Sequence, residues 1–122
     1  MTLILGRKRG MTQLFAEDGT VTGVTVVEVG PCVVTQVKTT EREGYDAIQL
    51  GFGAATDKRT RKPQLGHFKK AGVAPQRFLR EDRLAAPADR KVGDTVQCDV
   101  FQVGDVVDVI GTMKVRGFAG TI

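Results

Sequence analysis

Turn-forming residues interrupt this sequence at short intervals, and a chain so divided has room for strands but not for long helices. TLILG (Thr2 to Gly6), MTQLFA (Met11 to Ala16), VTGVTVVEV (Val21 to Val29), CVVTQVKT (Cys32 to Thr39) and YDAIQLGF (Tyr45 to Phe52) are β-type segments. VTGVTVVEV is rich in β-branched residues, which suit a pleated surface. Asp18-Gly19 is the kind of pair that closes hairpins. Gly30-Pro31 separates one segment from the next, and EREG (Glu41 to Gly44) makes a polar connection. Strands at this spacing, with no helical period between them, predict a mainly β fold, a small barrel or sandwich, and argue against alternating layers of helix and sheet.

The 122 residues amount to one domain with a single modest core, and 41% hydrophobic with 26% charged content is that of a folded chain. No apolar run approaches the ~18 residues that span a bilayer, and the N-terminus lacks the pattern of a secretory signal, so the expected location is cytoplasmic with no membrane partner. Cys32 and Cys98 stand far apart with no C-x-x-C partner, and His67 is the single histidine. Two reduced, partly buried thiols are the expected state, with no metal and no cofactor.

The net charge of +4 is unevenly distributed. GRKRGMTQLF places Arg7, Lys8 and Arg9 between Gly6 and Gly10, which reads as a basic hairpin tip between the first two strands. From Asp57 to Arg83 run Lys58, Arg59, Arg61, Lys62, Lys69, Lys70, Arg77, Arg80 and Arg83, against only Asp57, Glu81 and Asp82. Prolines and glycines interrupt that stretch, so it is expected to leave the barrel as a basic excursion with at most a short helix around Gln64 to Ala71. Strand-like sequence returns at Arg77 to Leu84, Thr95 to Phe101 and Val106 to Thr112, where Asp94, Asp99, Asp105 and Asp108 gather. The expected organisation is barrel strands with the basic tip over 1–56, the excursion over 57–83 in the same domain, further strands over 84–112, and a glycine-rich tail over 113–122 with Lys114 and Arg116.

The basic tip is no nucleotide cradle. A Walker loop needs lysine and then a hydroxyl after its second glycine, whereas Met11 follows Gly10 here; a strand also follows where a dinucleotide fold needs a helix. His67 has no neighbour that marks a triad, and Glu17-Asp18 and Glu81-Asp82 sit in turn or strand contexts, so no enzyme activity is expected. Two basic loops leaving one small barrel instead predict several phosphate contacts at once, the footprint of an RNA-binding protein. Phe68 and Phe78, set among the cations, either stack on unpaired bases or plug the core, the second being the commoner role. A different class of reading is an adaptor whose cations meet the carboxylates of an acidic protein.

GRKRGMTQLF, EDG, VTVVEVGPCVVTQVKT, GYDAIQLGF, KPQLGHFKKAGV, LREDR and GTMKVRGFAGTI, taken in order, resemble the bacterial form of the large-subunit ribosomal protein three family over essentially the whole chain. The resemblance implies a translation-protein-type β-barrel, partners in large-subunit ribosomal RNA and neighbouring large-subunit ribosomal proteins, a role in early subunit assembly, and no small-molecule substrate. It implies RNA contact at Arg7, Lys8 and Arg9, around Lys58 to Lys70, and at Lys114 and Arg116; the charge reading adds His67, Arg77 and Arg80. In the family the segment matching Gly111 to Ile122 leads into a long glycine-rich extension and further barrel strands. The expectation is therefore the front part of a longer chain, with an open sheet edge where those strands belong.

Overall fold

A computed structural model describes residues 3–121, and its regular elements are mainly β. β1 (Gly6–Phe15) and β2 (Val21–Val29) form an antiparallel hairpin, and β3 (Cys32–Lys38), β4 (Ala47–Ala54), β5 (Gln76–Arg83) and β6 (Thr95–Val96) form a second sheet in the order β5-β4-β3-β6. All pairings are antiparallel. The ladders leave these as two separate sheets, so strand pairing among the described residues closes no barrel.

The hairpin turn lies where Asp18-Gly19 predicts it. Ala16 N–H donates to the Thr20 carbonyl (2.9 Å), Thr20 N–H donates to the Asp18 carboxylate (3.0 Å), and Gly19 takes a positive φ of 90°. Its first strand corrects the sequence reading. Arg7, Lys8 and Arg9 lie inside β1 and not at a tip: Arg7 and Lys8 pair with Glu28 and Val27 of β2, and Arg9 is the bulged residue after them. What the two glycines mark is a strand start and a β-bulge between Lys8 and Gly10. Because the residues of this ribbon are largely exposed, its charges need no desolvation and do not break the strand. Of the expected strand Thr2 to Gly6, Thr2 lies outside the described residues and 3–5 pair in no sheet, although the Leu5 carbonyl accepts from Gly30 N–H (3.1 Å).

The core joins Cys32, Val34, Ile48, Leu50 and Val96, all buried, with Ile4, Leu5, Val37, Phe52, Leu84 and Ala88 packed around them. Alternation along β4 puts Ile48 and Leu50 on this face and Gln49 on the other. Gly30 is needed at the edge of this core: its φ is 70°, and a Cβ there would stand 2.9 Å from the Val96 carbonyl oxygen. Cys32 is buried, with its thiol pushed up by desolvation, and Cys98 is exposed; both are free.

EREG makes a single turn, α1 (Thr40–Glu43). The excursion holds one 3-10 turn (Asp57–Arg59) and one helix, α2 (Lys62–Ala71), which includes the expected Gln64 to Ala71. Pro63 sits in the first turn, where its missing N–H costs nothing. Gly72, left-handed at φ 70°, ends the helix with its N–H on the Lys69 carbonyl while Val73 N–H reaches the Phe68 carbonyl. Downstream the sequence reading overstates the strands. Thr95 to Phe101 yields only β6 followed by a 3-10 turn at Cys98–Val100, and Val106 to Thr112 is exposed and forms no strand. β-branched sequence becomes strand only where a partner completes the ladder, and none of the described residues pairs with this segment. Ile122, last of the expected tail, lies outside the described residues.

Candidate nucleic-acid interface

Two of the basic groups converge. Arg7 and Arg9 of β1 and Arg77 of β5 line one surface cleft of about 630 Å³, bounded also by Glu28, Phe52 and Phe78 and by the glycines 6, 30 and 53. Arg9 forms an ion pair with Glu28 on the neighbouring strand. Lys8 is exposed outside the cleft lining. Phe78 is 44% exposed, and the Arg77 guanidinium carbon lies 5.3 Å from its ring centroid. Phe68, by contrast, is 2% exposed and pins α2 to the sheet. The two phenylalanines, alike in sequence setting, thus differ in burial: Phe68 plugs the core under the excursion and Phe78 stays open to solvent.

The second group stays on the excursion. Lys58 and Arg59 lie in the 3-10 turn, Arg61 is the N-cap of α2 and Lys62 its first residue, and all four are exposed. Arg61 makes no side-chain capping bond, and the first turn contains no acidic residue. The positive end of the helix dipole therefore meets more positive charge, which stabilises nothing inside the chain. Lys69 and Lys70, exposed in the last turn, sit at the favourable end.

His67 turns inward. Its Nε2 lies 2.7 Å from Gln49 Oε1, which also accepts the Thr35 hydroxyl (2.8 Å), so Nε2 is the donor and the ring braces α2 against β4. A smaller cavity of about 220 Å³ beside it is lined by Arg42, Glu43, His67 and Lys70 among others. Arg80 is exposed, donating to the Leu79 carbonyl (2.7 Å), and Lys114 and Arg116 lie in the exposed segment outside both cavities. Glu28, Phe52 and Arg42 are additions that the sequence reading missed. An antiparallel register counted back from the Asp18-Gly19 turn would have put Glu28 beside the basic triplet.

The acids of β5 are absorbed elsewhere. Glu81 accepts from Lys38 Nζ (2.7 Å) and from the Tyr45 hydroxyl (2.8 Å), while the Arg83 guanidinium sits 4.8 Å over the Tyr45 ring. Asp82 is buried, accepting from Leu3 N–H at 3.2 Å. Lys38 first, and then the Tyr45 hydroxyl, hold the Glu81 carboxyl below the usual carboxylate range. Since the folded state prefers the ionised form, this stabilisation is complete above the ordinary carboxylate pKa of about 4.3 and is lost as pH falls through and below it. Thermal melts at neutral pH and at about pH 3.5 are expected to show a larger drop in midpoint for the unsubstituted protein than for Glu81→Gln; equal drops would refute the coupling.

Among the described residues no cluster of His, Cys, Asp or Glu could hold a metal ion, and no helix is long and apolar enough to cross a membrane. The fold and its charges define a mainly β protein with a cationic cleft and a cationic helix-bearing loop. No protein-family model matches the chain. It is 53% identical over 119 residues to the large ribosomal subunit protein uL3 of Pelotomaculum thermopropionicum and 50% identical over 119 residues to that of Syntrophobacter fumaroxidans. To the uL3 of Syntrophotalea carbinolica it is 55% identical over 120 residues. Each match takes in 98% of this chain and 57% of the relative. The chain is thus similar over nearly its whole length to uL3 proteins of the large ribosomal subunit, and it spans somewhat more than half the length of these curated relatives.

Proposed function

We propose that this chain is part of a structural constituent of the large ribosomal subunit, binding large-subunit ribosomal RNA in the cytoplasm and supporting early subunit assembly without catalysis. The observation that carries the reading is the set of exposed cations without intramolecular partners on a chain similar to uL3 proteins. Ion pairs among the described residues join only Arg9 to Glu28 and Lys38 to Glu81, which leaves Lys58, Arg59, Arg61 and Lys62 uncompensated. The contacts run through Arg7, Lys8 and Arg9, through the exposed Lys58, Arg59, Arg61, Lys62, Lys69 and Lys70 of the excursion, and through Arg77, Arg80, Lys114 and Arg116. Neighbouring subunit proteins are the further partners.

Binding to large-subunit ribosomal RNA across a salt series tests this. About six phosphate contacts make affinity fall roughly a thousandfold between about 50 and about 200 mM salt, through release of condensed counterions. A flat response would sink the reading in favour of an adaptor for an acidic protein.

A further inference from the structure

We propose that the cleft between β1 and the β4–β5 end of the larger sheet holds one unpaired nucleotide of an RNA, its base stacked on Phe78 and its phosphates on Arg7 and Arg77. This rests on the RNA-binding reading and adds where that RNA is single-stranded.

The chemistry of the lining selects the ligand. Phe78 pairs with Phe52 across β4 and β5, and Phe52 packs against the core, yet Phe78 remains 44% exposed. An aromatic ring left in water forgoes the burial that favours its partner. Arg77 covers part of the ring, 5.3 Å from its centroid, and so brings a planar cation to the edge of a stacking surface. Three guanidiniums line the cleft against one carboxylate, and that carboxylate, Glu28, already holds Arg9. Arg7 and Arg77 are left to bind an anion, and the guanidinium fork matches phosphate oxygens in pairs. An aromatic platform beside two free guanidiniums calls for a ligand that is flat and apolar at one end and anionic at the other, which describes a nucleotide. A volume of about 630 Å³ lies within the range of sites that take such groups.

Paired RNA fits less well. In a duplex the bases are stacked on one another and offer a protein mainly phosphates and 2′-hydroxyls, which leaves Phe78 nothing to stack on. An acidic peptide would satisfy Arg7 and Arg77 but gives no reason for the exposed ring.

The test uses the whole protein and its large-subunit ribosomal RNA, with Phe78→Ala, Phe78→Leu, Phe78→Tyr and Arg77→Gln. Loss of one stacked base is expected to weaken binding about tenfold in Phe78→Ala and Phe78→Leu, with the salt slope unchanged because no charge has gone. Phe78→Tyr restores binding, and Arg77→Gln lowers the slope by about one. Ultraviolet irradiation is expected to join the peptide containing Phe78 to a nucleotide in an unpaired segment. If Phe78→Ala folds poorly, the comparison of Phe78→Leu with Phe78→Tyr at matched melting temperature decides the matter. Unchanged affinity in the Phe78 variants, while the unsubstituted protein keeps its steep salt dependence, overturns the cleft proposal and leaves RNA binding standing. A cross-link from this peptide to an acidic protein segment overturns it as well. Absence of RNA binding by the unsubstituted protein removes both readings together.

Discussion

Reversing Lys58, Arg59, Arg61 and Lys62 to glutamate is expected to weaken binding to large-subunit ribosomal RNA on the order of a hundredfold at moderate salt and to cut the salt slope by about three. The four side chains are exposed, and the ion pairs among the described residues do not involve them, so reversal breaks no internal contact. Surface changes of this kind ordinarily alter stability by no more than ~0.5 kcal/mol each. Two of them go further. Arg61 caps α2 and Lys62 opens it, and a carboxylate at either position complements the helix dipole by about 0.3 to 1 kcal/mol. The variant is therefore expected to melt at the same temperature as the unsubstituted protein or slightly above it, while losing its RNA. Filter binding over a salt series with a parallel thermal melt checks both halves. Retained affinity would show that the excursion does not touch RNA, and a much lower melting point would show that these cations serve the fold.

Leu50→Ala is expected to cost about 2 to 5 kcal/mol, a large part of the ~5 to 15 kcal/mol that holds a typical domain together. Leu50 is fully buried in β4, opposite Val34 on β3 and Arg80 on β5, within the core cluster of the described residues. Removing its branched end leaves a cavity that the central strand of the sheet, held on both sides, cannot collapse around. Ile110→Ala deletes a similar volume at a site that is 94% exposed, and its expected effect is within ~0.5 kcal/mol. Chemical denaturation of the two variants is the check. Equal destabilisation would mean that segment 102–121 is packed in solution and that its valines and isoleucine are covered.

The strand spacing, the Asp18-Gly19 turn, the helix ending at Gly72 and the concentration of cations between Asp57 and Arg83 were all legible in the residues. Each depends on a few neighbouring positions: a backbone conformation that glycine permits, a proline that only a first helical turn tolerates, charges that are present wherever the chain goes. Register, burial and closure were not legible, because they depend on partners far away in sequence. Continued from the Asp18-Gly19 turn, the unbroken ladder of β1 and β2 would place Glu28 opposite Lys8; the bulge moves it opposite Arg7, and nothing nearby in the sequence announces that shift. Val106 to Thr112 has strand composition and no strand, because composition supplies a tendency and a ladder requires a second edge. Phe68 and Phe78 are each an aromatic among cations, and local sequence cannot separate them. The docking of α2 on the sheet buries the first, while the start of β1 brings Arg7 and Arg9 to the cleft beside the second, which stays open to solvent. Charge and turn chemistry belong to the residues themselves; which ring meets water and which cations share a cleft is decided only when distant strands pack together.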